Sequence, residues 1–446
     1  MGTALRCAAA LVGALTHLAG GAGAQTTVAL RGGTILPISG PAIANGTIVM
    51  RDGKIVAVGA GIAIPSGATI IDVTGKFVMP GLVDAATYYG IDAQDLNETA
   101  EPITPELRVI NDYDPTGEGF AGGAGAGRAR ELLTGGVTTQ HIGAGDATIV
   151  GGQGAVVKTA ASSIAALIVR EPASLGVNIG IGPTKTFRAK QRSPVTHSGL
   201  IALLRQAFVR AQEYDRSLKA FETRPDADRA KASPPARNLG NDALARVLHR
   251  EMPVRVQANT VTDIRGAIAL SEEFGFELII DGGAQAYQVK ELLASKKIPV
   301  ILGPVTHPYI SGEEIPDRRE YPAPDERNAA RLAAAGVPFA IASYSHGLGA
   351  IASGVTGKWL LIDAAIAAGY GLSDDAVLRA VTLAPAQILG VADRVGSLEP
   401  GKDADVIVID GPVLSIKSWV ERVYVGGELV YSRGPAVGGS KDAPAH

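Results

Sequence analysis

Side chains able to do chemistry stand at or just beyond the ends of short apolar runs: Asp84 and Tyr88, His141, Lys158, Asp281, His307, and the group Ser343, Tyr344 and His346. Three imidazoles supply enough donors for a divalent ion with a position left open for water. A buried lysine such as Lys158 can shift its pKa, or take up carbon dioxide and bridge two ions. The spacing argues against both. No two histidines have the His-x-His pattern that puts two imidazoles on one face of a strand, so His141, His307 and His346 read as hydrogen-bonded rim or loop residues. With no metals to bridge, Lys158 reads as half of an ion pair with a carboxylate such as Asp281 or Asp84. Gln153 joins this candidate pocket from a Gly151-Gly152-Gln153-Gly154 run, which lacks the Lys-Ser/Thr pair of a phosphate-cradling loop. Tyr88, Tyr89, Tyr309 and Tyr344 would rim the pocket and suit a ligand with a flat or partly apolar face.

The elements that must position these groups follow from periodicity. Between residues 77 and 390, short apolar runs alternate with segments of helical period. That predicts an α/β fold of parallel βα units closed as a (β/α)8 TIM-type barrel. After the first strand, which leads into Asp84, strands are expected at 137–142, 155–159, 177–181, 254–258, 276–281, 299–302 and 339–343. Helices are expected at 262–274, 284–295 and 325–335, the first and last stopped by Gly275 and Gly336. Residues 201–236 begin as an apolar helical face and end in a charged, Pro-rich excursion expected in solvent. The long connection 93–127 turns Gly-rich at 121–127 and would lie over the barrel mouth, as a lid does. At either end of the chain, 25–76 and 391–435, short Val/Ile/Thr runs alternate with turn signals such as Asn45-Gly46, Asp52-Gly53 and Gly426-Gly427. These predict one small β-sandwich-like domain built from both ends, with 436–446 a flexible tail.

Residues 1–24 have the layout of a cleaved signal peptide: Arg6, an Ala- and Leu-rich run to Leu18, then Ala22-Gly23-Ala24 before Gln25. An apolar core of about eleven residues is well short of the roughly 20 that a spanning helix needs. The expectation is export, to the periplasm of a Gram-negative cell, with no membrane attachment after cleavage. The single cysteine, Cys7, lies inside this segment, so the mature chain has neither disulfides nor a cysteine metal site. Removing Arg6 with it leaves 40 basic against 44 acidic side chains, a net charge of −4 that invites no nucleic acid.

Several phrases resemble the amidohydrolase superfamily. Pro80-Gly81-Leu82-Val83-Asp84 is similar to the opening of its first barrel strand, and Gly396-Ser397-Leu398-Glu399-Pro400-Gly401-Lys402-Asp403-Ala404-Asp405 to a run near its C-terminus. The runs 97–105 and 149–158 resemble its imidazolonepropionase-like periplasmic branch. The resemblance implies metal-dependent hydrolysis of C–N bonds in non-peptide or dipeptide substrates, with ligands from the first, fifth, sixth and eighth strands. At those positions this chain carries Ala86 and Tyr88, then Gln257 and Asn259, then Gly282, then Tyr344. Alanine and glycine have no donor, amide oxygens are weak ligands, and a phenol with a pKa of about 10 is not a ready anion. The resemblance, with its ligand positions substituted in this way, therefore implies no metal and no cofactor. It implies a pseudoenzyme that forms a homo- or hetero-oligomer with an active homologue, or a binder of a small amide or peptide ligand. The alternative is a hydrolase of cyclic amides or dipeptides acting through atypical residues.

Overall fold

The computed structural model describes residues 27–92, 94–114, 128–161, 164–303, 305, 325–344 and 357–434. The expected signal peptide, the Gly-rich run, Tyr309, the tail, and the rim candidates His307 and His346 lie outside the described residues.

Strands β1 (Thr27–Ile35), β2 (Ile43–Arg51) and β3 (Lys54–Ala60) form an antiparallel ribbon, and β4 (Thr69–Asp72) and β5 (Phe77–Pro80) run parallel to β1. A second sheet follows in chain order: β6 (Leu82–Thr87), β7 (Val137–Ile142), β8 (Val150–Lys158), β9 (Ile168–Asn178), β10 (Val254–Ala258), β11 (Leu278–Gly282), β12 (Val300–Leu302) and β13 (Phe339–Ile341). The chain then returns to the first sheet with β14 (Val406–Ile409), β15 (Val420–Val425) and β16 (Glu428–Ser432), and β14 pairs with β5. The two chain ends thus share one sheet, packed over Leu30, Ile48, Met50, Ile55 and Tyr424.

Residues 77–80, expected to open the barrel, belong instead to this end-built sheet. The switch between sheets occurs at Gly81, where a Cβ would lie 2.1 Å from Thr138 Oγ1, so only glycine fits.

The barrel is α/β and eight-stranded, but not all parallel. β8 runs antiparallel to both β7 and β9. Connection length explains this: 143–149 carries no helix, and the described residues of 159–167 hold only the short turn Ile164–Leu167, whereas a parallel crossover needs a dozen or more residues. The remaining pairs are parallel. At the seam, Tyr344 N donates to Ala86 O at 3.1 Å, and Ser343 N and Oγ donate to the two oxygens of Asp84 at 3.1 and 2.5 Å.

The helices have physical stops and starts. Val261–Phe274 is capped by Thr260 Oγ1, which accepts from Asp263 N, and ends at Gly275 with φ 78°. The expected helix at 284–295 is a turn at Ala286–Val289 followed by Lys290–Lys296, and the one at 325–335 is Asn328–Ala334. His197–Glu222 buries Leu200, Leu204, Ala207, Phe208 and Ala211, and residues 223–236 beyond it are mostly exposed.

Candidate functional site

At the mouth, a small cleft opens between the ends of β6, β7, β9, β10 and β11 and the start of β8. Its polar wall comes from strand alternation: Arg255 and Gln257 lie two apart on β10 and share a face. Arg255 is 4% exposed. Its Nε and Nη2 donate to Asp281 Oδ2 at 3.0 and 2.5 Å, and its Nη1 reaches Ala85 O at 2.8 Å and His141 Nδ1 at 2.5 Å. A guanidinium has only donors, so Nδ1 of His141 must accept and the ring proton sits on Nε2. That nitrogen donates to Ser174 Oγ at 2.9 Å. Burial, and then the Arg255 charge, push the His141 pKa well down, which keeps the ring neutral.

Tyr344 closes the other side of Asp281. Its hydroxyl donates to Asp281 Oδ1 and accepts from Gly282 N at 2.7 Å. Burial, and then the Asp281 charge, drive its pKa well above the usual phenol value, so it stays a neutral donor. Tyr344 also holds φ 45°, an uncommon conformation for a bulky residue.

The positions expected from the sequence separate into three groups. Ala86, Tyr88, His141, Gln257, Asp281 and Tyr344 line the cleft. Asn259 and Gly282 sit beside it, where a Cβ on Gly282 would fall 2.3 Å from Asn259 Oδ1. Lys158, Asp84, Ser343 and Gln153 do not line it. The reversed direction of β8 takes Lys158 to the opposite end of the barrel, where it pairs with Asp403 at 2.9 Å and with Asp405, and not with Asp281 or Asp84. Burial alone would raise the Asp403 pKa, but Lys158, Lys54 and Arg394 together hold it at about 2. Asp84 and Ser343 face each other at the seam, with Asp84 near Gly357. Gln153 turns to the strap at 103–108, donating to Pro105 O at 2.9 Å. Gly152 and Gly154 line the cleft in its place, and Gly154 lies against His141, where a Cβ would come 2.7 Å from Nε2.

Sequence reasoning missed Arg255, Ser174 and Asn178. A usable signal existed for the first: a charge inside the Val254-Arg255-Val256 strand must be paired if buried. Among the described residues, no group of three or more His, Cys, Asp or Glu side chains is arranged to share a metal ion.

An amidohydrolase of known structure from Thermotoga maritima is 31% identical, covers 91% of this chain and 100% of its own, and superposes with a TM-score of 0.81. This chain belongs to the amidohydrolase family. Residues 277–430 also match the sequence model of that family. Amidohydrolase tasK of the fungus Hapsidospora irregularis is 25% identical over 393 residues, 82% of this chain. This amidohydrolase spans only 37% of the length of that fungal protein. Molinate hydrolase, 17% identical with a TM-score of 0.54 over 94% of this chain, shares the fold.

Proposed function

We propose that this amidohydrolase is a metal-free pseudoenzyme of the imidazolonepropionase-like branch, exported to the periplasm, whose cleft binds a small amide- or peptide-like ligand. The observation that carries this reading is Arg255. A family-type ion needs about three good donors. The positions that the sequence resemblance assigns to the ligands hold Ala86, Tyr88, Gln257, Gly282 and Tyr344, the cleft carboxylate Asp281 holds Arg255, and the His141 lone pair faces an Arg255 N–H. A fixed cation in the middle of the donor set repels a second one. These residues do not fit a divalent ion.

The second reading, hydrolysis of cyclic amides or dipeptides through atypical residues, has Ser174 and His141 as its natural dyad. That dyad runs the wrong way: His141 donates to Ser174, and its accepting nitrogen is held by Arg255, so it cannot take the serine proton. The first reading is therefore preferred. Incubation of the purified chain with lactams, cyclic dipeptides and linear dipeptides, with and without added zinc or manganese, tests it. Product above the blank, abolished by chelation, would revive the family chemistry.

Pairing with an active homologue is part of the proposal. An apolar groove bounded by Trp359, Leu414, Ile416, Trp419 and Tyr431 leaves Ile416 76% and Trp419 46% exposed, a surface suited to such a contact. Light scattering of the purified chain, alone and mixed with a homologue that retains His-x-His, measures the association. Export predicts a mature N-terminus near Gln25, readable by mass spectrometry.

A further inference from the structure

The geometry points to a second binding site, in the groove between the barrel and the end-built sheet, for small amphipathic carboxylates: an aryl or alkyl body among apolar side chains, with its anionic head at Lys358. The barrel-mouth cleft plays no part in it. This groove is the surface offered above to a homologue, so carboxylate and homologue become alternative occupants.

Shape and lining set the body of the ligand. A hollow of about 250 Å³ lies between the helix Leu360–Gly369, the connection 410–419 and β16, close to the small end of ordinary small-molecule sites, roughly 300–1,000 Å³. Leu361, Ile362 and Ala365 share one helix face and form one wall, and Val413, Leu414 and Ile416 form the other. The turn at 357–359 comes close beneath because Gly135 has no side chain: a Cβ there would lie 2.4 Å from Lys358 Cα. Trp359 and Trp419 meet edge to face, with ring centroids 6.5 Å apart.

Charge sets the head. The Lys358 ammonium lies 5.0 Å from the centroid of Trp359, and the Arg433 guanidinium 4.9 Å from that of Trp419. Arg433 is matched, since its Nη1 donates to Asp410 Oδ2 at 3.2 Å. Lys358 lines the groove half-buried, and among the described residues no carboxylate lies within ion-pair distance of it. Lys417, exposed on the same connection, is likewise unmatched among the described residues. Neither indole N–H has an acceptor among the described residues, so both remain donors. An apolar hollow with an excess of positive charge at its rim suits an anion whose head stays in contact with water and so avoids the full cost of burial. A neutral amide of the same shape fills the hollow equally well but gains nothing from Lys358.

Both tryptophans of the chain line this groove, so their fluorescence reports this site alone. The test titrates the full mature chain with 3-phenylpropanoate and with 3-phenylpropanamide, excited where a phenyl ring does not absorb, with calorimetry alongside. The carboxylate is expected to bind about 5- to 10-fold more tightly than the amide at low salt. At about 1 M salt, where the screening length is about 3 Å, the two affinities should converge. Lys358→Gln should remove the preference and leave amide binding as it was. Ile416→Asp, at a position 76% exposed, should weaken both probes by about 10-fold with an unchanged melt. If Lys358→Gln does not fold, the acid-amide comparison, its salt dependence and Ile416→Asp still decide. Equal affinity for acid and amide, a preference that survives Lys358→Gln, or no binding of either probe up to about 10 mM overturns the proposal. Absence of binding in a chain that light scattering finds self-associated would overturn it too, and leave the groove to protein contact.

Discussion

Arg255 carries a full charge into the barrel, and Asp281 is what makes that tolerable. Breaking a buried pair leaves a lone charge, while replacing both partners by apolar groups is often neutral. Arg255→Met is therefore expected to destabilise the fold by about 3–5 kcal/mol in urea unfolding, and Arg255→Met combined with Asp281→Leu to recover most of that loss. Gly282 makes a second prediction at this scale. Its φ of 90° and its close approach to Asn259 mean that Gly282→His will cost stability, so rebuilding ligands at the positions proposed to correspond to them fails there first. Thermal melts that place Gly282→His level with the parent would contradict this. Residues of the cleft were legible where the aligned strand ends told which way they faced, as with Ala86, Tyr88 and Gln257. Arg255 was not, because one strand position shows a charge but not the carboxylate on the next strand that pays for it.

The seam between β13 and β6 depends on Asp84, whose two oxygens take the Ser343 hydrogen bonds. Burial raises its pKa to about 6 despite those bonds, and Asp363, on the helix Leu360–Gly369, is raised to about 7 by burial and then by the Asp84 charge. Both values lie above the ordinary carboxylate range, so the folded state binds more protons than the unfolded chain across the window from about pH 4 to 7. Stability contributed by this pair is present at the acid end and falls as pH rises through that window. Asp363→Asn removes the second charge. It should flatten the pH dependence and raise the melting temperature at pH 8 more than at pH 5; an equal shift at both would show that the pair does not share this titration. The reversal of β8 was legible in principle, since neither flanking connection is long enough for a parallel crossover. Apolar alternation alone does not carry direction, which is why Lys158 was expected at the wrong end.

At the scale of the whole molecule, the sheet made by the chain ends and the barrel are held together at the barrel floor, where Lys158 meets Asp403 and Asp405. Lys54 and Arg394 also reach Asp403. Lys158→Met should cost about 3 kcal/mol, because buried Asp405 loses its cation and Asp403 keeps only the more exposed Lys54 and Arg394; urea unfolding reads the loss. The fold was legible almost throughout, from the turn signals of both ends and the alternating runs between them. Its family likeness to the Thermotoga maritima amidohydrolase describes the frame, whereas the chemistry rests on a few positions that the frame does not fix. In the function proposed above, Arg255 and its partners take the place of the family metal. Elemental analysis of the mature protein, purified from cells supplied with zinc, manganese and nickel and passed through gel filtration, tests it most directly. Well under about 0.1 ion per chain and a melting temperature unmoved by chelator are expected; about one tightly held ion per chain, whose removal lowers the melt, would overturn the metal-free reading.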